Sequence, residues 1–67
     1  MDKPQRNQRY RRETASHVEY RDVVQVTPTD VRYRTLSMAG RRIIRTVSLP
    51  TWYQWAANAR RVGEQQQ

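Results

Sequence analysis

RRIIRTVSLPTWYQWAANARRV, residues 41–62, is the stretch whose reading decides the fold. It reads as a strand, a proline hinge and a short amphipathic helix, and it holds both tryptophans and both isoleucines of the chain. In the strand, Ile43, Val47 and Leu49 share one parity and Arg42, Ile44, Thr46 and Ser48 the other. Arg45 falls on the apolar side, where its stem can cover carbon while its head stays in water. Thr51 and Gln54 have capping-box spacing, with Thr51 at the N-cap and Gln54 at N3, and Pro50 and Trp55 would form the staple. The rival register puts Leu49 at the N-cap and Pro50 at N1. Trp52, Trp55, Ala56 and Ala59 recur at i, i+3, i+4 and i+7, so a helix over 51–61 has one apolar face. Its alanines allow a close approach to a sheet, and Gly63 is a natural stop. Both tryptophans are read as core.

The segment before this one supplies its partners. His17 to Thr27, HVEYRDVVQVT, alternates: Val18, Tyr20, Val24 and Val26 on one side, Glu19, Arg21 and Gln25 on the other. That is the pattern of a half-buried strand, with Asp22 marking a bulge or bend near Arg21–Asp22. Thr27-Pro-Thr-Asp30 is a turn, and Val31 to Thr35 is the return strand, with Val31 and Tyr33 inward and Arg32 and Arg34 outward. Leu36 to Gly40 turns the chain again, Gly40 being free to take positive φ. Arg9 to Arg12 makes a short first strand around Tyr10. Residues 1–8 read as a flexible basic arm, 9–62 as the domain, and 63–67 as a polar tail. The expected fold class is mainly β (α+β): a small antiparallel meander, an SH3-like barrel or half-barrel, closed by one short C-terminal helix.

Composition limits what such a chain can be. Sixty-seven residues make a single small domain whose core is marginal. Only 11 residues are Leu, Ile, Val or Phe against a net charge of +7, so the two Trp and four Tyr must carry the folding free energy. A second copy of the chain would help a core this thin, so a homodimer is one expected partner. There is no cysteine, hence no disulfide or thiolate metal site, which fits a reducing, cytoplasmic setting. No apolar run reaches the length that spans a bilayer, so no membrane partner is expected. Twelve arginines stand against one lysine. Arginine's rigid fork suits phosphate and carboxylate and stacks on flat rings, though GC-rich codon usage raises the same ratio.

Two resemblances attach to these residues. The order Arg9-Tyr10-Arg11, Val23-Val24-Gln25-Val26, a turn, Val31-Arg32-Tyr33-Arg34, an arginine-rich strand, Leu49-Pro50, an aromatic helix and Arg61-Val62 is similar to small uncharacterised phage and prophage proteins with SH3-like β cores. The resemblance runs from Arg9 to Val62. It implies a mobile-element origin and action on host or phage nucleic acid or machinery, with no shared activity to transfer. Arg45 to Pro50 followed by a helix resembles the strand-to-helix junction of ribbon-helix-helix repressors. That implies a strand paired across a dimer, with Arg42, Ile44, Thr46 and Ser48 toward the major groove.

Catalysis is not expected. One histidine, no cysteine and scattered carboxylates offer no convergent metal or catalytic set, and no cofactor motif is present. Ser16 and His17 are adjacent, and neighbours on a strand point to opposite faces. Glu19 and Arg21 read as a surface ion pair. The sharper expectation is binding to DNA or RNA through Arg9, Arg11, Arg12, Arg32, Arg34, Arg41, Arg42 and Arg45, with Tyr10 and Tyr53 as candidate stacking rings. Arg6 adds to the basic arm. The competing expectation is a module that docks on an acidic host protein surface, using an apolar patch of Val23, Leu36, Met38 and Ile44 ringed by arginine. The same patch would serve a homodimer contact.

Overall fold

The computed structural model describes residues 3–64. Chain order is β1 (Gln8–Glu13), β2 (Val18–Val26), β3 (Asp30–Leu36), β4 (Arg42–Ser48), α1 (Leu49–Ala56) and β5 (Arg60–Glu64). The hairpin between β2 and β3 turns where the sequence places it. The Thr27 amide donates to the Asp30 carbonyl at 2.9 Å, and the Asp30 amide donates to Thr27 Oγ1 at 2.9 Å. Gly40 closes the next turn at φ 82°, as its position after Leu36-Ser-Met-Ala suggests.

All pairings are antiparallel and the sheet order is β4-β3-β2-β1-β5. The first four strands form the expected meander, and the fold is mainly β with one short helix. The sheet stays open, with β4 and β5 as its two edges. After β4 the chain passes over one face as α1, then lays β5 beside β1 at the far edge. The strand-to-helix junction at Arg45–Pro50 is present, but β4 pairs with β3 along its whole length.

Three boundaries differ from the sequence reading. The helix covers Leu49–Ala56 rather than 51–61. Its N-cap is Ser48, whose hydroxyl accepts the Thr51 amide at 3.3 Å, so both registers weighed from sequence begin too late. At the other end the Asn58 and Ala59 amides bond three residues back, to the Trp55 and Ala56 carbonyls. This tight last turn releases Arg60 onward. Residues 60–64 then satisfy their backbone on the open edge of β1 (Tyr10 opposite Arg61, Arg9 opposite Gly63), so Gly63 lies in a strand at a register shift. The expected tail at 63–67 is therefore strand at 63–64; residues 65–67 lie outside the described residues, as do 1 and 2 of the expected arm. The arm is anchored at two points, while Gln5 and Arg6 are exposed. Pro4 and Gln8 are buried, and the Asn7 amide donates to the Val23 carbonyl at 2.9 Å with Asn7 itself at φ 73°.

The core lies between α1 and one sheet face: Val23, Val31, Tyr33, Trp52, Trp55 and Ala56, with Tyr10, Val26, Val47, Leu49, Tyr53 and Ala59 packed around them. Trp52 is the hub, 5.3 Å from the Tyr10 ring edge-on, 5.7 Å from Tyr33 and 5.3 Å from Trp55. On area alone each indole contributes about 4–6 kcal/mol as an upper bound, a large share of what a small domain has.

The faces of β2 are the main correction. Val18 and Tyr20 are exposed, while Glu19 and Arg21 lie under the helix. The register shift is between Val23 and Gln25, not near Arg21–Asp22, so Val23 and Val26 both reach the core across it. The stretch before the bulge then takes the opposite parity from the one its valines suggest. Arg21 is held under the helix by rings: its guanidinium carbon is 4.3 Å from the Tyr33 centroid and 4.1 Å from that of Trp55. Glu19 completes the layer, accepting from Arg21 Nε at 2.9 Å and from Trp55 Nε1 at 3.0 Å. The ion pair expected at the surface is half-buried at the border of the core, against Trp55.

Candidate nucleic-acid interface

The face away from α1 carries the arginines. Register fixes which side chains share a row. Arg42 (β4) pairs with Leu36 (β3), and Tyr20 (β2), Arg11 (β1) and Arg60 (β5) form a run of paired positions on the other strands; Leu36 and Tyr20 line one depression between them. The adjacent row runs Ile44, Arg34, Asp22 and Arg9, and Thr46 and Arg32 lie beyond it. Alternation along each strand sends every one of these away from the helix.

Six arginines thus share the face, against the carboxylates of Asp22, Glu13 and, by the same parity, Asp30, which leaves three positive charges. The paired ones are Arg9 and Arg11. Arg9 clamps Asp22 with two bonds, Nε to Oδ1 at 2.6 Å and Nη2 to Oδ2 at 3.2 Å. Its hydrogen bond to Asp22, reinforced by the carboxylate's charge, raises an already high pKa. Arg11 reaches Glu13 at 3.3 Å. Arg32, Arg34, Arg42 and Arg60 make no ion pair among the described residues. Between the two rows is a shallow depression of about 280 Å³ lined by Arg9, Tyr20, Asp22, Arg34, Thr35, Leu36 and Arg42.

Of the residues named from sequence, Arg9, Arg11, Arg32, Arg34 and Arg42 meet on this face. Arg41 sits in the turn before β4. Arg12 is on the helix side opposite Glu19, and Arg45 is exposed on that side opposite Tyr33. Tyr10 is not a surface ring: it packs edge-on against Trp52, and its hydroxyl donates to Gln8 Oε1 at 3.0 Å. Tyr53 is half-buried against the core. Of the expected apolar patch, Val23 is core, whereas Leu36, Met38 and Ile44 are exposed and are joined by Val18.

Sequence reasoning missed Arg60 and Tyr20. The Arg60-Arg61 pair was visible but assigned to a helix end. Tyr20 was assigned inward because its parity matches that of Val18, and nothing local reports a bulge four residues later.

Other chemistry is sparse. No group of His, Cys, Asp or Glu among the described residues is arranged to hold a metal. Ser16 Oγ lies 3.1 Å from His17 Nδ1, since both sit in the β1–β2 turn rather than on a strand. Thr14 Oγ1 is 3.3 Å from the same nitrogen, and all three residues are exposed. Burial would raise the Glu19 carboxyl, but the hydrogen bonds from Arg21 and Trp55 outweigh it and hold it below the usual carboxylate range. No helix among the described residues is long and apolar enough to cross a membrane.

No protein-family model matches the chain, and comparison with curated proteins and with solved structures finds no match either.

Proposed function

We propose that this chain is a non-enzymatic binding protein that contacts nucleic acid through the open face of its sheet. The observation that carries the reading is the row structure of that face. Strands distant in sequence bring Arg9, Arg11, Arg32, Arg34, Arg42 and Arg60 onto one surface, and four of them have no ion-pair partner there among the described residues. Guanidinium groups held at strand spacing neutralise successive phosphates and release counterions. Affinity for a labelled oligonucleotide should therefore fall linearly with salt on a log–log plot, with a slope of about three to five. Combining Arg32→Ala, Arg34→Ala and Arg42→Ala should lower that slope by about two to three. No binding at low salt by a chain of charge +7 would refute the reading.

A second reading is favoured by one specific observation. Val18, Leu36, Met38 and Ile44 are exposed next to the arginines, a patch suited to a protein with an acidic rim, or to a second copy of the chain. Sedimentation across a concentration range tests the second copy. The proposal includes a cytoplasmic location, consistent with a cysteine-free chain, and an origin in a phage or other mobile element with an SH3-like core.

A further inference from the structure

We infer that the open face takes single-stranded nucleic acid, with one base stacked on Tyr20; this deepens the nucleic-acid reading and rests on it. Tyr20 lies on β2, the middle strand of five, and is 47% exposed. Arg11 is its cross-strand partner, Leu36 lines the same depression, and Arg9 and Arg34 belong to the row beside it. The Arg9 guanidinium carbon is 5.7 Å from the ring centroid, and Asp22 fixes that guanidinium in turn. Tyr20 is therefore a half-exposed ring set among cations, with Arg9 over it. A base stacked on such a ring, with its phosphates on the flanking guanidinium groups, is how a sheet holds an open strand without reading its sequence.

Size argues against a duplex. The face from Arg42 to Arg60 crosses all five strands, four steps of about 4.8 Å, or roughly 19 Å. The major groove is about 12 Å wide and admits a helix or a two-stranded ribbon. A face of this breadth stays outside the groove, and a base inside a duplex is already stacked on both sides. In an open strand, base and phosphate are both within reach of the same surface.

The test is fluorescence anisotropy with the full chain and four probes. These are a labelled pyrimidine strand of about 12 nucleotides as DNA, the same strand as RNA, the matching DNA duplex, and unlabelled poly-glutamate as competitor. Either single strand is expected to bind at least tenfold tighter than the duplex at equal salt. Tyr20→Ala and Tyr20→Leu are expected to weaken the single strand roughly tenfold with an unchanged salt slope, and Tyr20→Phe to restore it. Tyr20→Leu keeps apolar bulk on the strand, and far-UV circular dichroism verifies the fold of each variant. A duplex bound as tightly as the single strands, or folded Tyr20 variants that bind like the parent, would overturn the stacking inference and leave the arginine reading standing. Displacement of the strand by poly-glutamate at equal charge would assign the face to acidic protein and overturn it too. No binding of any probe at low salt would remove both readings.

Discussion

Tyr20 and Arg21 are neighbours in sequence and sit on opposite faces of one sheet, and each face pairs arginine with aromatic rings. Under the helix, Arg21 lies between Tyr33 and Trp55, with Trp52 at 5.8 Å, and its charge is met by Glu19. On the open side the order is inverted: one ring, Tyr20, stands among many guanidinium groups. The same residue types thus build a core on one side and a charged surface on the other. What differs is the ratio of rings to cations and the supply of carboxylate, and both are set by strand register rather than by composition.

The comparison is broken most severely at Trp52. Trp52→Ala removes the ring that joins Tyr10, Tyr33 and Trp55, at a cost of about 3–5 kcal/mol, comparable with the whole stability of a domain this small. Circular dichroism should show no cooperative thermal transition for this variant. Next in size are the two arginine classes. Arg21→Ala should cost about 2 kcal/mol, because it strips cation–π contacts and leaves Glu19 half-buried without its partner. Arg32→Ala, on the exposed side, should stay within about 0.5 kcal/mol of the parent in urea titrations. Equal effects of the two would mean that the faces do not differ as described.

A smaller effect separates the faces by pH. The Glu19 carboxyl is held below its ordinary value, so its contribution to stability is complete above the unfolded pKa of about 4.3 and is lost as pH falls through the lower folded value. Glu19→Gln keeps an acceptor for Trp55 Nε1 but cannot titrate. Melting temperatures from pH 7 down to 3 should therefore fall less steeply in this variant than in the parent. Smallest of all is Tyr20→Leu, whose stability should match the parent within about 0.5 kcal/mol. A loss several times larger would show that Tyr20 supports the fold and is not a spare surface ring.

Elements made by neighbouring residues were legible. The Thr27–Asp30 turn, the inward Val31 and Tyr33, the parity of β4 and the aromatic face of α1 all follow from local pattern. Two features were not, for separate reasons. The bulge at Val23–Gln25 reverses the preceding strand, and a charged Arg21 read alone belongs in water; only three rings from two other elements make burial favourable. β5 has no apolar alternation to announce it, because what holds it is the backbone edge of β1, some fifty residues earlier. Five of the arginines on the open face were named from sequence, Arg32, Arg34 and Arg42 on strands of outward parity and Arg9 and Arg11 as a basic cluster around Tyr10. Arg60 and Tyr20 depend on those two non-local features, and so the centre and one border of the candidate site appear only in the folded chain.

The pairing of β1 with β5 has one more consequence. Gln8 stands opposite Glu64, so the strand that begins the sheet and the strand that completes it leave it side by side. A short peptide joining them and a new opening in the turn at Ser37–Arg41 would yield a circularly permuted chain with every strand ladder intact. By the same geometry the unit can be inserted into a surface loop of another protein as a cassette, its two attachment points meeting at one edge while the face away from α1 stays clear.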